Sequence, residues 1–276
     1  MMESVLSPTE ALTGVLTRAS AIFLRDAKLA ISYSANFWFE SLGTMFSVVV
    51  TYMIAQAVGT NSPDGAGSYF NYLTVNMAFF RFQGTALISF ANAIRESQLA
   101  GTLEVMLATP TSIPLLILSA GLWAFTWTGL QTALFLITAI PLGFDVTHTN
   151  LACVLVFTLL TVACMSPLGI IAASLTMRFK KSGPIEFFFS NVSLVCSGIF
   201  LPVDRLPHLL QGVGWLLPIT HTLTALRGGF RGDGIVQHLP DALWLCGATL
   251  LLLPLSLLAF SRAVRIARFD GTLGTY

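Results

Sequence analysis

The chain has 276 residues, of which 55% are hydrophobic and only 10% are charged, whereas a typical soluble domain is about 25% charged. Together with a mean hydropathy of +0.78, this composition excludes an ordinary soluble domain and indicates an integral membrane protein. The formal net charge is +1, so the overall charge predicts no nucleic-acid partner. The positions of the few charges therefore carry more information than their sum.

The N-terminal residues 8–28 are predicted to form an amphipathic helix. Ser7, Pro8 and Glu10 make a helix-start pattern, and apolar residues then recur at helical spacing. This apolar stripe consists of Leu12, Val15, Leu16, Ala19, Ile22 and Phe23. We expect the helix to lie flat on the membrane within an N-terminal segment, residues 1–29; an ordinary soluble-type helix is the alternative.

Six apolar stretches are long enough to cross a bilayer, which takes about 20 residues as a helix. They are residues 30–57, 68–92, 111–141, 151–177, 184–201 and 241–261. The predicted fold is therefore an all-α integral membrane protein with six transmembrane helices in residues 30–262, followed by a tail, residues 263–276.

The basic residues predict the orientation of these helices. If the N-terminus is cytoplasmic, the inner segments hold Arg18, Arg25, Lys28, Arg95, Arg178, Lys180, Lys181, Arg262, Arg265 and Arg268. The outer segments then hold only Arg205, Arg227 and Arg231. Because Lys and Arg accumulate on the cytoplasmic side, both termini are predicted to be cytoplasmic, in a multi-pass protein of the inner or plasma membrane.

Two short elements between the spans are predicted to be more than connections. Residues 95–110 carry Leu99, Leu103, Met106 and Leu107 at helical spacing, which predicts a cytoplasmic helix held against another protein or the membrane surface. Residues 202–234 contain apolar pieces that are interrupted by prolines and are too short to cross. They fit a pair of outer re-entrant half-helices.

The motifs of common enzymes are absent from the sequence. It has no Gly-Lys dipeptide, which excludes the usual phosphate-binding loop, and no H-E-x-x-H or G-x-S-x-G motif. The histidines are scattered and the cysteines Cys153, Cys164, Cys196 and Cys246 lack metal-ligand spacing, so we expect no metal site. Any energy for active work must come from a gradient or from another subunit.

Glu40 and Arg81 lie within the first two predicted spans. A charge near the bilayer centre costs about 2.5–3.5 kcal/mol on insertion scales, so both side chains should face the bundle interior or an aqueous path. By rough count each lies about 15 Å from the cytoplasmic end of its helix. The two could pair with each other, fix helix packing, or contact a substrate.

Three segments make the chain resemble the permease subunit of ATP-binding-cassette exporters of the type-two class, which export polysaccharides, lipo-oligosaccharides and drugs. The first is Glu96 followed by Gly101-Thr102-Leu103-Glu104, Leu107 and Pro110. The second is Ser197-Gly198-Ile199-Phe200-Leu201-Pro202 with Leu206-Pro207. The third is Leu217-Pro218-Ile219-Thr220-His221, running to Leu226-Arg227.

The resemblance implies a non-catalytic subunit that forms the translocation path as a dimer, in membrane lipid. Separate ATPase subunits would bind ATP and Mg²⁺, and the helix near residues 95–110 would couple them to the spans. In that helix Gly101 would allow the turn out of the second span and Thr102 would cap the helix. Leu103 and Leu107 would supply apolar contacts with the ATPase, and Glu104 a polar one. Pro202, Pro207, Pro218, His221 and Arg227 would belong to the outer half-helices.

The substrate implied by the resemblance is a lipid-linked or amphipathic molecule, a glycan or a drug. Polysaccharide permeases tend to line the path with aromatic residues, and Phe37, Trp38, Phe46, Tyr52, Phe79, Phe80 and Phe82 could serve here. These residues could equally face lipid or the core. Two other classes stay open: an ion-gradient-driven carrier that uses Glu40 and Arg81, and an intramembrane enzyme.

Overall fold

The structure is a computed structural model that describes residues 34–59, 61–63, 65, 67–99, 113–179 and 183–269, together with Ser20, Phe23, Leu24, Ala27 and Lys28. Most of the predicted N-terminal helix, residues 100–110 of the predicted cytoplasmic helix, the first two residues of the predicted third span, and the end of the C-terminal tail lie outside the described residues.

Eight α-helices follow one another along the described chain. They are α1 (Ser34–Val58), α2 (Tyr69–Leu99), α3 (Ile113–Ala139), α4 (Leu151–Phe179), α5 (Gly183–Cys196), α6 (His208–Leu216), α7 (Pro218–Arg231) and α8 (Leu239–Phe269). Short 3-10 turns occur at Ile140–Leu142, Val203–Arg205 and Ile235–His238. No strand occurs among the residues that the structure describes, so the predicted all-α class is confirmed for this part of the chain.

Among the described residues, four segments are long and apolar enough to cross a membrane: Phe37–Val58, Gly121–Leu142, Leu151–Met177 and Ile235–Ile266. They include most of α1, α3, α4 and α8, two of them with an adjoining 3-10 turn, which makes the chain a helical integral membrane protein. The helices α2 and α5 do not meet the requirements of length and hydropathy for crossing a membrane, each for a different reason. The prediction of six crossings therefore stays a prediction.

Helix α2 has 31 residues, which is ample length, but Asn76, Arg81 and Gln83 make it too polar. Helix α5 has 14 residues, or roughly 21 Å at 1.5 Å per residue, against a hydrocarbon core of about 30 Å. The fifth span was predicted to run to residue 201, but the helix ends at Cys196. Gly198 just beyond has φ +83, a left-handed conformation that turns the chain out of the helix.

Helix α4 occupies the centre of the bundle and packs against α2, α7 and α8. The approach to α2 is closest at Gly169, where an added Cβ would overlap the carbonyl oxygen of Ala86. Large side chains fill the space on either side, and Phe82, Phe90 and Phe157 are fully buried. Small and large residues on facing helices therefore interdigitate, as close packing in membranes requires.

The connections α1–α2, α3–α4 and α5–α8 lie together at one end of the bundle, here called the α7 end. The amide of Asn150 donates to the carbonyl oxygen of Gly229 over 2.8 Å, and the Tyr69 hydroxyl donates to the carbonyl of Phe200 over 3.1 Å. These bonds join the starts of α4 and α2 to the chain around α7.

Three prolines set the helix starts within residues 202–231. Pro202 precedes the 3-10 turn Val203–Arg205, Pro207 precedes α6, and Pro218 is the first residue of α7. Proline suits these places because it lacks an N–H that the first helical turn cannot use, and its φ is already helical. Two short helices, α6 and α7, thus occupy the region for which half-helices were predicted.

Candidate functional site

The predicted coupling segment lies at the edge of the described chain. Glu96 is exposed in the last turns of α2. Gly101, Thr102, Leu103, Glu104 and Leu107 lie outside the described residues. Their role as a contact surface for another protein therefore stays a prediction.

Helices α1 and α3 are joined by two side-chain hydrogen bonds one helical turn apart. The indole Nε1 of Trp127 donates to the Glu40 carboxylate over 2.6 Å. Four residues further along each helix, the Thr44 hydroxyl donates to Oε1 of Gln131 over 2.8 Å. Because residues four apart lie on one face of a helix, these pairs form successive rungs between α1 and α3.

Arg81 brings α2 to the second of these rungs. Its Nη1 donates to the Thr44 hydroxyl over 2.9 Å, and its guanidinium lies over the Phe135 ring, 5.1 Å from the centroid. Glu40 and Arg81 thus reach the same seam from different helices but have different hydrogen-bond partners. We call Glu40, Thr44, Arg81, Trp127 and Gln131 the polar seam.

The polar seam lets charged groups lie within apolar helices. The Thr44 hydroxyl donates one bond and accepts another, so it satisfies a guanidinium and an amide at once. Thr44 and Gln131 are both buried, and an unpaired polar group there would carry a large desolvation cost. The seam therefore ties three helices together, with Arg81 half-buried. Glu40 is exposed on α1, so of the two predicted environments for its side chain, the bundle interior is excluded within this chain.

A second polar cluster holds the turn after α5 against α2. The Gly198 carbonyl accepts from the Tyr72 hydroxyl and from Arg227 Nη1, the latter over 3.3 Å. Asn76 Nδ2 donates to the carbonyl of Ile199 over 2.8 Å, and its Oδ1 lies 3.4 Å from Arg227 Nη1. We call Tyr72, Asn76, Gly198 and Arg227 the Gly198 anchor.

Arg227 is the member of this anchor that the sequence singled out. It stands near the end of α7, half-buried, with Nη2 bonded to Thr224 over 3.1 Å. It links α7 to α2 through contacts with Tyr72 and Asn76. The predicted outer residue therefore acts as a tie between three separate parts of the chain.

His221, the other predicted outer residue, joins α7 to α8. Its Nδ1 lies 2.7 Å from Asp241 Oδ1 and its Nε2 lies 3.0 Å from the Trp215 carbonyl. Both partners are acceptors, so a doubly protonated ring would donate to both. The ring also stacks on Trp244 at 4.5 Å between centroids.

Asp241 also faces a second histidine. His238 Nδ1 lies 3.5 Å from Asp241 Oδ2, and His238 Nε2 lies 3.2 Å from Asp233 Oδ2. We call His221, Asp233, His238 and Asp241 the histidine–aspartate cluster. Its geometry is that of hydrogen-bonded pairs, and within the described residues no group of three or more His, Cys, Asp or Glu is arranged to hold a metal ion.

A cavity of about 250 Å³ opens at the α7 end beside the Gly198 anchor. Its lining comes from the start of α2, the α3–α4 connection and the end of α7. The residues are Gly67, Asn71, Tyr72, Val75, Phe144, Asp145, His148, Arg227, Phe230 and Arg231. Hydrogen bonds from the Thr147 hydroxyl and amide lower the pKa of the Asp145 carboxyl, because they favour its ionised form.

The aromatic residues proposed for a path fall into three groups by burial. Phe79 and Phe82 are buried in the core, whereas Phe37, Trp38 and Phe46 are exposed on α1. Phe80 and Tyr52 are half-buried. The first group supports helix packing, and the α1 group lies on the surface of the chain.

Several partners of the predicted residues were missed in the sequence. Trp127 and Gln131 bind the α1 side of the seam, and Tyr72, Asn76 and Asp241 bind the residues at the α7 end. The available signal was a polar side chain within an apolar helix, which Asn76 and Gln131 both display. The identity of each partner could not be inferred, because the bonds join residues far apart in sequence.

Comparison with known proteins adds a family match. The model of the family described as ABC-2 type transporter matches residues 20–230. Two curated relatives are the Capsule polysaccharide export inner-membrane protein CtrC of Neisseria meningitidis serogroup A and its serogroup B counterpart, 33% and 29% identical over 99 residues. Each match covers 35% of this chain and 37% of the relative, so the chain is aligned with little more than a third of their length.

Proposed function

Because the chain belongs to the ABC-2 type transporter family, we propose that it is the transmembrane permease subunit of an ATP-driven exporter. The observation that carries this proposal is the extent of the family match, which runs from before α1 to the last residues of α7. The sequence lacks the Gly-Lys dipeptide of a phosphate-binding loop. A separate ATPase would therefore bind ATP and Mg²⁺, and the permease would contribute no catalytic residue.

In the proposed topology the chain crosses the inner membrane six times, and both termini lie in the cytoplasm. The polar residues of α2 support its crossing, because Asn76 and Gln83 are fully buried within the bundle and so lie away from lipid. Helix α5 would complete its crossing with the turn at residues 197–201. The α7 end is then the outer face, and Glu96 lies at the cytoplasmic face.

A second copy of the chain is the proposed partner within the membrane. Helix α1 exposes large side chains, among them Trp38, Phe39 and Phe46, at 64%, 74% and 69% of their surface. Lipid can cover such a face, and so can another copy. A translocation path between two copies would place the polar seam, which includes Glu40 on α1, beside that path.

The proposed substrate is a lipid-linked or amphipathic glycan. It is supported by the similarity to the two capsule polysaccharide export proteins of Neisseria meningitidis, over the 99 residues that align. A strain that lacks this chain should lose a surface glycan, and the chain supplied in trans should restore it. An unchanged surface glycan profile together with loss of another exported molecule would contradict the substrate.

Copurification with an ATPase tests the transport proposal. A tagged chain, purified from its own cells, should copurify with an ABC ATPase, and the complex should hydrolyse ATP in nanodiscs. Leu103→Asp with Glu104→Lys should abolish the association, because an apolar contact becomes charged and a polar one reverses sign.

A matched pair of changes at the opposite end serves as the control. Val236→Asp and Asp204→Lys introduce the same charges at exposed positions and should leave the association intact. If no ATPase copurifies and the Leu103 and Glu104 changes leave transport unchanged, the proposal fails. Transport that persists in ATP-depleted vesicles under an ion gradient would instead support the gradient-driven carrier.

A further inference from the structure

The described residues that line the cavity at the α7 end include more basic side chains than acidic ones. Arg227 and Arg231 approach it from the end of α7, and His148 approaches it from the α3–α4 connection. A guanidinium is protonated at all physiological pH values. Among the described residues, Asp145 is the one carboxylate in the lining, and its Oδ1 accepts bonds from the Thr147 amide and hydroxyl over 2.9 and 2.7 Å.

The rest of the lining suits a small polar ligand. Asn71 lies in the first turn of α2, where the helix dipole favours negative charge. Tyr72, Phe144 and Phe230 supply apolar walls. The volume of about 250 Å³ is just below the roughly 300–1,000 Å³ of ordinary ligand pockets, so the cavity has room for one ring or headgroup and not for a longer chain.

We propose that this cavity binds a carboxylate or phosphate group carried on a small polar ligand such as an acidic sugar. Arg227 and Arg231 hold the anion, and the amide of Asn71 and the aromatic walls contact the rest of the ligand. Binding requires only the cavity; its placement on the outer face rests on the proposed transport function.

The site has a direct connection to the Gly198 anchor through Arg227. The same guanidinium that lines the cavity donates to the Gly198 carbonyl and lies over the Tyr72 ring. A guanidinium has five N–H donors, so it can hold an anion and the turn after α5 together. An anion in the cavity therefore adds a contact to the residue that ties α7 to α2.

The test measures binding of glucuronate by the purified full chain in phosphatidylcholine nanodiscs, with glucose as the neutral control. Calorimetry should show glucuronate binding at least about tenfold tighter than glucose, with weakening as salt screens the charges. Arg231→Gln should lower the affinity about tenfold, as expected for the loss of one charge-assisted hydrogen bond. Arg231→Lys should retain most of the binding.

Arg205→Gln is the matched control, because Arg205 is an exposed arginine at the same end that does not line the cavity. It should bind glucuronate like the unchanged chain. Equal binding of glucose and glucuronate would overturn the proposal. So would unchanged affinity in folded Arg231→Gln, or an equal loss in Arg205→Gln.

Two further arms identify the source of the anion. Inorganic phosphate should compete with glucuronate, and a failure to compete would contradict a shared anion site. Nanodiscs that contain phosphatidylglycerol should weaken glucuronate binding if a lipid headgroup occupies the cavity, and should leave it unchanged if the site takes soluble sugar acids. No ATPase or nucleotide is present, so a failure of the transport proposal would not alter these results.

Discussion

The guanidinium of Arg227 lies over the ring of Tyr72, with Cζ 4.8 Å from the ring centroid. The Tyr72 hydroxyl and the Arg227 Nη1 both donate to the carbonyl of Gly198. Two helices, α2 and α7, are thereby fastened to one peptide group in the turn after α5. Since Gly198 needs its left-handed φ of +83, the turn and its two donors form one unit.

Two substitutions of Tyr72 should distinguish the contribution of its hydroxyl, which bonds to Gly198, from that of its ring, which lies beneath Arg227. Tyr72→Phe removes only the hydroxyl and should cost about 0.5–1.5 kcal/mol of unfolding free energy. Tyr72→Leu also removes the ring beneath Arg227 and should cost about 0.5–2 kcal/mol more. Denaturation in mixed detergent micelles measures both, with Tyr52→Phe as a control whose ring packs on Phe70. Equal values for the two Tyr72 variants would refute the contribution of the ring.

The close approach of α2 and α4 should make Gly169 intolerant of any side chain. Gly169→Ala places a methyl group on the Ala86 carbonyl oxygen and should destabilise the protein by about 1–3 kcal/mol. Gly84→Ala on α2 meets open space and should be neutral or slightly stabilising. The thermal stability of the two variants can be compared by heating each one and measuring the folded fraction that remains by size-exclusion chromatography. A neutral Gly169→Ala would mean that the helices separate without cost.

Thr44 supplies the hydroxyl of the polar seam, and its loss should destabilise the protein. Thr44→Val keeps the shape but leaves Arg81 Nη1 and Gln131 without this partner, at an expected cost of about 1–2 kcal/mol. Thr126→Val is the control, because its hydroxyl bonds only to the Leu122 carbonyl of its own helix. Both can be measured by unfolding in detergent. A loss for Thr126→Val as large as that for Thr44→Val would show that the seam itself adds nothing.

Coupling between His221 and Asp241 should appear in a double-mutant cycle. Asp241→Asn and His221→Gln each weaken the attachment of α7 to α8, and together they should cost less than the sum by about 0.5–3 kcal/mol. Asp204→Asn, at an exposed position of the same end, should be additive with His221→Gln. Full additivity of the Asp241 and His221 changes would exclude a direct interaction between them.

The helices of this protein could be predicted largely from local sequence. The first span was expected at residues 30–57, and α1 covers Ser34–Val58; the fourth was expected at 151–177, and α4 covers Leu151–Phe179. Apolar length and proline position are local properties, so the bounds agree closely. The predicted end of the fifth span was wrong. Residues 197–201 have a composition that a helix would accept, but the chain turns at Gly198.

The candidate sites depended far more on tertiary contacts. Glu40 and Arg81 were recognised from the cost of charge in an apolar helix, but their partners Trp127 and Thr44 were not. Arg227 was singled out on the third segment of the family resemblance, while the Gly198 carbonyl that it binds was not foreseen. Each of these bonds joins residues on different helices. The periodicity of apolar residues describes one helix at a time, so it does not show which residues of two helices meet.

The sequence by itself determined that this is a helical membrane protein, where most of its helices begin and end, and which family it resembles. The reason is that hydropathy and helix-start residues act over a few turns of chain. Only the tertiary structure decided which polar groups meet, how α2 and α4 come into contact at Gly169, and that two arginines of α7 line one cavity. Those outcomes depend on the packing of distant helices, where burial forces each polar group to find a partner.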